Sequence, residues 1–181
     1  IERLAFRADA RGDIDQVALV GFNAGAWIEQ PLTSDADAAR AGVQRLRSGM
    51  RAGTRLDLAV DWGVRALDGP GRRPGNTPVI VLLTDGLPNG VPPGPGGTQE
   101  ETVVASAAVA RSRGIRVYTI GVGLPDAPDA ADRINMDLLQ AVATRPDLAF
   151  QTFRAAELER IYGEIADTLG CASGAYWRRA P

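Results

Sequence analysis

Residues 77–86 read TPVIVLLTDG, and no other stretch limits the fold so tightly. A near-continuous run of apolar and β-branched residues suits a strand buried on both faces of a parallel sheet. Such a strand needs helices packed above and below it. The run closes on Thr84-Asp85-Gly86, so a carboxylate stands where the strand leaves the sheet. In open α/β sheets, ligands bind in the crevice at the carboxyl ends of the strands. Asp85 is therefore the first candidate for chemistry.

The remaining chain supplies the partners this strand requires. QVALVGF at 16–22 and the segment 26–32 predict two strands joined by the turn Asn23-Ala24-Gly25, a hairpin. Pro31 places the second of them near a sheet edge. Thr33-Ser34-Asp35 offers an N-cap for a helix reaching about Arg47, and Thr54 offers one for a helix over 55–67. A glycine- and proline-rich excursion, 86–97, follows the opening run. Thr98 and Glu101 then spell a capping box for a helix ending near Arg113. RVYTIG at 116–121 and the segment 148–153 predict further strands. Helices are predicted at 135–143 and 156–169, and a helix end at Ile1–Ala10. Alternating helices and strands after a hairpin predict an α/β fold. Its sheet is mostly parallel, with one antiparallel edge strand and helices on both faces. Its length suits one domain, expected over 1–170, with a tail at 171–181.

Composition removes several kinds of chemistry. All 20 basic residues are arginine, and there is no histidine. That excludes Ser-His-Asp and Cys-His catalysis and His-ligated zinc within this chain. Without lysine, and without GxGxxG or GxxxxGK[ST], the glycines after Gly86 do not make a phosphate cradle. A formal charge of -2 offers no general footprint for nucleic acid. Cys171 is the single cysteine, so no internal disulfide forms. Asp126, Asp129 and Asp132 lack the spacing, glycine and terminal glutamate of a calcium loop. They are expected to be a solvated loop, and Tyr176-Trp177-Arg178-Arg179 a frayed tail. No apolar run reaches the roughly 18 residues of a membrane span.

Two oxygen donors remain, the Asp85 carboxylate and the Thr54 hydroxyl at a helix start. Magnesium favours such hard oxygens, usually one or two carboxylates with hydroxyls and waters. Taken singly, each has a plain structural role, Thr54 as a cap and Asp85 as a turn residue.

Their order in the chain adds more. DQVALVGFN at 15–23, GTRLDLAV at 53–60, TPVIVLLTDGLPN at 77–89, GIRVYTIGVG at 114–123 and LERIYGEIADTL at 158–169 together resemble the von Willebrand factor type A (VWA) domain family. The resemblance implies a Rossmann-like fold with a metal-ion-dependent adhesion site on top of the sheet. It implies Thr54 and Asp85 as metal ligands, with Gly53, Arg55, Gly86, Leu87 and Asn89 as ligand-contacting neighbours. It further implies an Mg2+, Mn2+ or Ca2+ cofactor and a protein partner that offers an acidic residue. An extracellular or membrane-anchored bacterial surface is the implied location.

The chain departs from that family in one respect. The family opens with an apolar strand ending in DxSxS, and no DxSxS occurs in these residues. In the order 3-2-1-4-5-6 that strand is central. The expectation is an incomplete copy of the domain, or one completed by a strand from an upstream segment or another chain. The expected function is a protein-binding module and not an enzyme. The alternatives are a VWA subunit of a chelatase-like ATPase assembly, and a hydrolase using the same crevice. Two oxygens hold magnesium poorly, because the ion gives up water reluctantly. Calorimetry on the isolated chain should therefore show weak or no magnesium binding; a micromolar affinity would contradict this ligand count.

Overall fold

A computed structural model describes residues 14–48, 52–124 and 133–170. The expected helix end at Ile1–Ala10, residues 49–51, the Asp126, Asp129 and Asp132 cluster, Cys171 and the expected tail to Arg179 lie outside the described residues.

The hairpin forms as β1 (Val17–Phe22) and β2 (Ala26–Thr33), paired antiparallel. Its turn is closed by Asn23, whose N–H donates to the Gly25 carbonyl at 2.8 Å and whose side-chain oxygen accepts from the Gly25 N–H at 2.9 Å. The register slips between Val17 and Val20, opposite Pro31, as expected where a residue without an N–H enters a ladder. Helix α1 (Ala36–Ser48) is capped by Asp35, whose carboxylate accepts from the Asp37 and Ala38 N–H groups at 2.8 and 3.1 Å.

Helix α2 (Leu56–Leu67) leads to the apolar run, which forms β3 (Val79–Thr84). Helix α3 (Gln99–Ser112) begins at Thr98, whose hydroxyl accepts from the Glu101 N–H. The Glu101 carboxylate does not close the expected box; it accepts from Gly96 at 2.6 Å and so ties down the preceding loop. Strand β4 (Arg116–Val122) follows, then α4 (Met136–Val142), a single 3-10 turn at Pro146–Leu148, β5 (Ala149–Thr152) and α5 (Ala155–Gly170).

Strands β3, β4 and β5 form a parallel sheet in that order, with Val79–Thr84 aligned on Arg116–Gly121. One face carries Ile80, Leu82 and Val117 into a core with α2, α3 and α4. The other face carries Tyr118 and Ile120 beneath Ile161 and Ile165 of α5. Tyr118 is fully buried and its hydroxyl meets Thr168 at 2.9 Å. The class is therefore the expected one: α/β, a parallel sheet plus an antiparallel pair, helices on both faces.

The strands divide into two sheets. Among the described residues no backbone ladder joins β1 to β3. Helix α2 joins them instead. Leu56, Ala59, Val60 and Val64 share one core cluster with Ile80 and Leu82 of β3, and Phe22 of β1 packs against it. Gly63 permits the close approach, since a Cβ there would lie 3.0 Å from the Ile80 Cδ1 atom. At the opposite end of the strands the Asn76 amide donates to the Ile14 carbonyl at 2.9 Å, and Gln16 bonds Gly71 and Arg73.

This arrangement places much of the cohesion between the sheets on the stripe of α2. Leu56 is 1% exposed, so Leu56→Ala should lower stability in urea unfolding by about 2–5 kcal/mol. Val109→Ala, on the exposed side of α3, should stay within about 0.5 kcal/mol of the parent.

Candidate functional site

Three loops meet at the carboxyl ends of β1 and β3. The first is the Asn23–Gly25 turn, the second is 52–55 ahead of α2, and the third follows β3 from Asp85. Backbone bonds join them. The Arg55 N–H donates to the Asn23 carbonyl at 2.9 Å, and the Asn89 N–H donates to the Thr54 carbonyl at 3.0 Å. Thr54 and Asn89 form an isolated antiparallel bridge. Gly53 makes the junction possible. Its φ is +113°, and a Cβ would lie 2.5 Å from the Ala24 nitrogen. Only glycine accepts both conditions without strain.

Thr54 does not cap α2, contrary to the sequence expectation. The helix begins one residue later than predicted, at Leu56, with Arg55 in the cap position and no side-chain cap bond. Asp57 lies in the first turn of the helix and is 4% exposed. Arg55 grips its carboxylate with two bonds, Nε at 2.8 Å and Nη2 at 2.7 Å. Burial by itself would raise the Asp57 carboxyl; the guanidinium and the backbone N–H groups outweigh it and hold the carboxyl below its ordinary value. The same pairing raises Arg55.

The consequence is a threonine hydroxyl with no assigned structural duty. Among the described residues, Thr54 makes no side-chain hydrogen bond, and neither does the exposed Asp85 carboxylate. The neighbouring Thr84 is the reverse case. It is 4% exposed, and its hydroxyl bonds both backbone groups of Gly86, fixing the turn that carries Asp85 outward. Leu87 stands 38% exposed beyond it.

The structure therefore brings Gly53, Thr54, Arg55 and Asn89 into one bonded cluster. It sets Asp85, Gly86 and Leu87 on the loop that enters that cluster. Arg55 is committed to Asp57 and does not present a free guanidinium. Among the described residues, no three acidic, cysteine or histidine side chains gather as an ion site. The Thr54 and Asp85 oxygens match a hard divalent ion in kind, and by themselves supply only part of its shell. Sequence reasoning missed Asn23 and Asp57 as positioning residues. Asn23 acts through its carbonyl, which leaves no side-chain signature. The Arg55–Asp57 spacing of two is not a helix-face spacing, so no pairing rule selects it.

Comparison with known proteins gives a consistent result. The family model described as von Willebrand factor type A domain matches residues 1–164. No match was found among curated proteins. Several solved structures are similar. The vWF domain of the type V pili tip protein Mfa5 from Porphyromonas gingivalis aligns with a TM-score of 0.72 at 13% identity, over 98% of this chain and 87% of that one. The pilus adhesin SpaC from Lactobacillus rhamnosus GG aligns at 0.69 and 17% identity, over 85% of this chain and 25% of that one. Proximal thread matrix protein 1 from the mussel byssus, with a zinc-occupied MIDAS motif, aligns at 0.66 and 20% identity, over 93% and 39%. This chain thus spans only a minor part of the adhesin and of the byssus protein. At these identities the likeness is one of fold.

The Arg55–Asp57 pair sets a pH dependence. A carboxyl lowered in the folded state adds stability above its unfolded pKa, and that contribution is lost as pH falls through the folded value. Arg55→Met should therefore destabilise the chain most at neutral pH, by about 1–3 kcal/mol. The gap from the parent should narrow below the ordinary carboxylate range, about pH 3.9. Urea unfolding at a series of pH values measures it; a gap that stays constant with pH would show the pair to be electrostatically idle.

Proposed function

The chain belongs to the von Willebrand factor type A domain family, and from that premise we propose that it is an adhesion-type protein-binding module. It engages an acidic residue of another protein through a divalent metal at the Thr54–Asp85 end of the sheet. The observation that carries this reading is the free Thr54 hydroxyl. Thr54 makes no side-chain cap bond to α2 and no other side-chain hydrogen bond among the described residues, and its backbone is bridged to Asn89 on the loop that follows Asp85.

Thr54 and Asp85 would hold the ion, whether Mg2+, Mn2+ or Ca2+. Bound there, the metal supplies a Lewis-acid link to a partner carboxylate. Gly53 lets its loop close on Ala24. Arg55, locked by Asp57, keeps that loop rigid. Gly86, Leu87 and Asn89 form the rim that a partner touches. Two protein oxygens make the intrinsic affinity weak. The similarity to pilus adhesins and to a byssus matrix protein supports binding over catalysis and a place at or outside the cell surface. A donated strand is a second partner in this reading, because β1 and β3 are not paired with each other among the described residues.

Manganese gives a local readout. At millimolar Mn2+, the amide signals of Thr54, Asp85, Gly86 and Asn89 should broaden before all others in a heteronuclear NMR spectrum. Asp85→Asn should abolish that selectivity with the rest of the spectrum unchanged. Uniform broadening, or broadening centred on another acidic cluster, would remove Thr54 and Asp85 as metal ligands.

A further inference from the structure

Four asparagines occur in the chain, and all four lie among the described residues. Three of them use their side chains. The Asn23 side-chain oxygen accepts from the Gly25 N–H at 2.9 Å, and the Asn135 oxygen accepts from the Leu138 N–H at 2.9 Å. The Asn76 amide donates to the Ile14 carbonyl, also at 2.9 Å. Asn89 is the exception. It is exposed, and its side chain makes no hydrogen bond among the described residues. Only its backbone is held, by the bond from its N–H to the Thr54 carbonyl.

Asn89 is also the one asparagine followed by glycine. The side-chain carbon of an asparagine is open to attack by the backbone nitrogen of the next residue, which closes a five-membered ring. A Cβ on that next residue obstructs closure, and glycine has none. Gly90 is exposed, and its N–H makes no hydrogen bond among the described residues. A Cβ built on it would meet only the Arg55 Cδ atom within 4 Å, at 3.9 Å, so little crowds this residue. The two Asp-Gly steps, which share the ring-closing geometry, differ in this respect. The Gly69 N–H donates to the Ala66 carbonyl at 3.2 Å, and the Gly86 N–H donates to the Thr84 hydroxyl at 3.3 Å. Asp68 is further held by Arg72 and Arg113. At Asn89-Gly90 both the electrophile and the nucleophile are free.

The position gives the reaction a consequence. Asn89 is bridged to Thr54 and stands on the loop that leaves Asp85. The other carboxylate of this cluster, Asp57, is buried and committed to Arg55.

We propose that Asn89-Gly90 is a self-modification site, where deamidation adds a second exposed carboxylate to the Thr54–Asp85 loop cluster and strengthens its hold on a divalent ion. Base takes the Gly90 amide proton, and the nitrogen attacks the Asn89 Cγ. That C–N bond forms as the bond from Cγ to the side-chain nitrogen breaks, and this nitrogen takes a proton from water and leaves as ammonia. Water then opens the ring. Addition at Cγ restores the ordinary backbone with aspartate at 89. Addition at the backbone carbonyl leaves isoaspartate, with the chain running through the former side chain. One water is consumed, one ammonia is released, and nothing is oxidised or reduced. The Asn89 N–H precedes the rearranged link, so the bond to the Thr54 carbonyl is not consumed. Both products replace a neutral amide with a carboxylate, the donor a hard divalent ion favours. The change runs one way, so it records the age of the molecule. The modification stands on this chemistry alone; its effect on the ion rests on the metal reading proposed above.

The full chain is incubated in mildly alkaline buffer and sampled by peptide mass mapping. The peptide carrying Asn89 should exchange amide for acid and split into aspartate and isoaspartate peaks. It should do so at least roughly tenfold faster than the peptides of Asn23, Asn76 and Asn135, because one retained hydrogen bond slows the others by about that factor. Asn89→Gln, whose longer side chain does not close this ring, should abolish the change. An Asn89 that stays intact, or converts no faster than the other three, would overturn the site. The effect on the ion is read from Mn2+ broadening of the Thr54 and Asp85 amides. Asn89→Asp should show it at roughly tenfold lower Mn2+ than the parent, and parent aged to completion gives the same comparison without a substitution. Equal Mn2+ requirements would overturn the effect on the ion. Conversion of Asn89 with no broadening at Thr54 or Asp85 in either form would overturn the metal reading and that effect together, and would uphold the modification site.

Discussion

Helix α2 is the element on which the rest of the structure depends. Its apolar stripe is the place where the antiparallel pair and the parallel sheet share a core. In an ordinary open sheet, backbone ladders align the strands and helices only cover them. Between β1 and β3 that order is reversed among the described residues. Side-chain burial under α2, with polar ties at the strand ends, sets where one sheet lies relative to the other. Gly63 matters for this reason, since it brings the helix axis close enough for Ile80 to reach past it.

The start of α2 also decides what Thr54 can do. An N-cap threonine is held by the donors of the first turn. Here no side chain caps the first turn, and Arg55 pairs with the buried Asp57 carboxylate instead. A buried carboxylate without a partner is costly, so the arginine is a condition of the arrangement. Leu56 N–H meanwhile bonds the Thr54 carbonyl at 3.0 Å. The threonine hydroxyl takes no part in these bonds. That freedom separates Thr54 from Thr98, which has the same sequence pattern and does cap its helix.

Much of the fold was legible in local pattern. The run at 77–86 became β3, and the Thr98 signal started α3. These features depend on period and on short-range bonds, which sequence carries. The exit of Asp85 at the end of β3 followed from the same logic. The cap at Thr54 was misplaced because a helix start can shift by one residue, and that shift exchanges a threonine for an arginine in the cap position. The burial of Asp57 was invisible, because it depends on how α2 lies across two sheets. The separation of β1 from β3 was legible only through family resemblance, since no local pattern in either strand states which neighbour it lacks.

The candidate site rests on two backbone bonds. Arg55 to Asn23 and Asn89 to Thr54 tie the carboxyl ends of β1 and β3 to the segment ahead of α2. The second of them also fixes the residue whose hydroxyl is free, and it anchors the loop that carries Asp85. Thr54 is therefore placed by backbone geometry, and Asp85 by the Thr84 hydroxyl on the Gly86 turn. The candidate ligands differ from the surrounding loop in just this respect: their positions are set by other groups, and their own oxygens are left unused. A rigidly placed oxygen with no internal partner is a poor stabiliser of the fold and a good acceptor for something outside it.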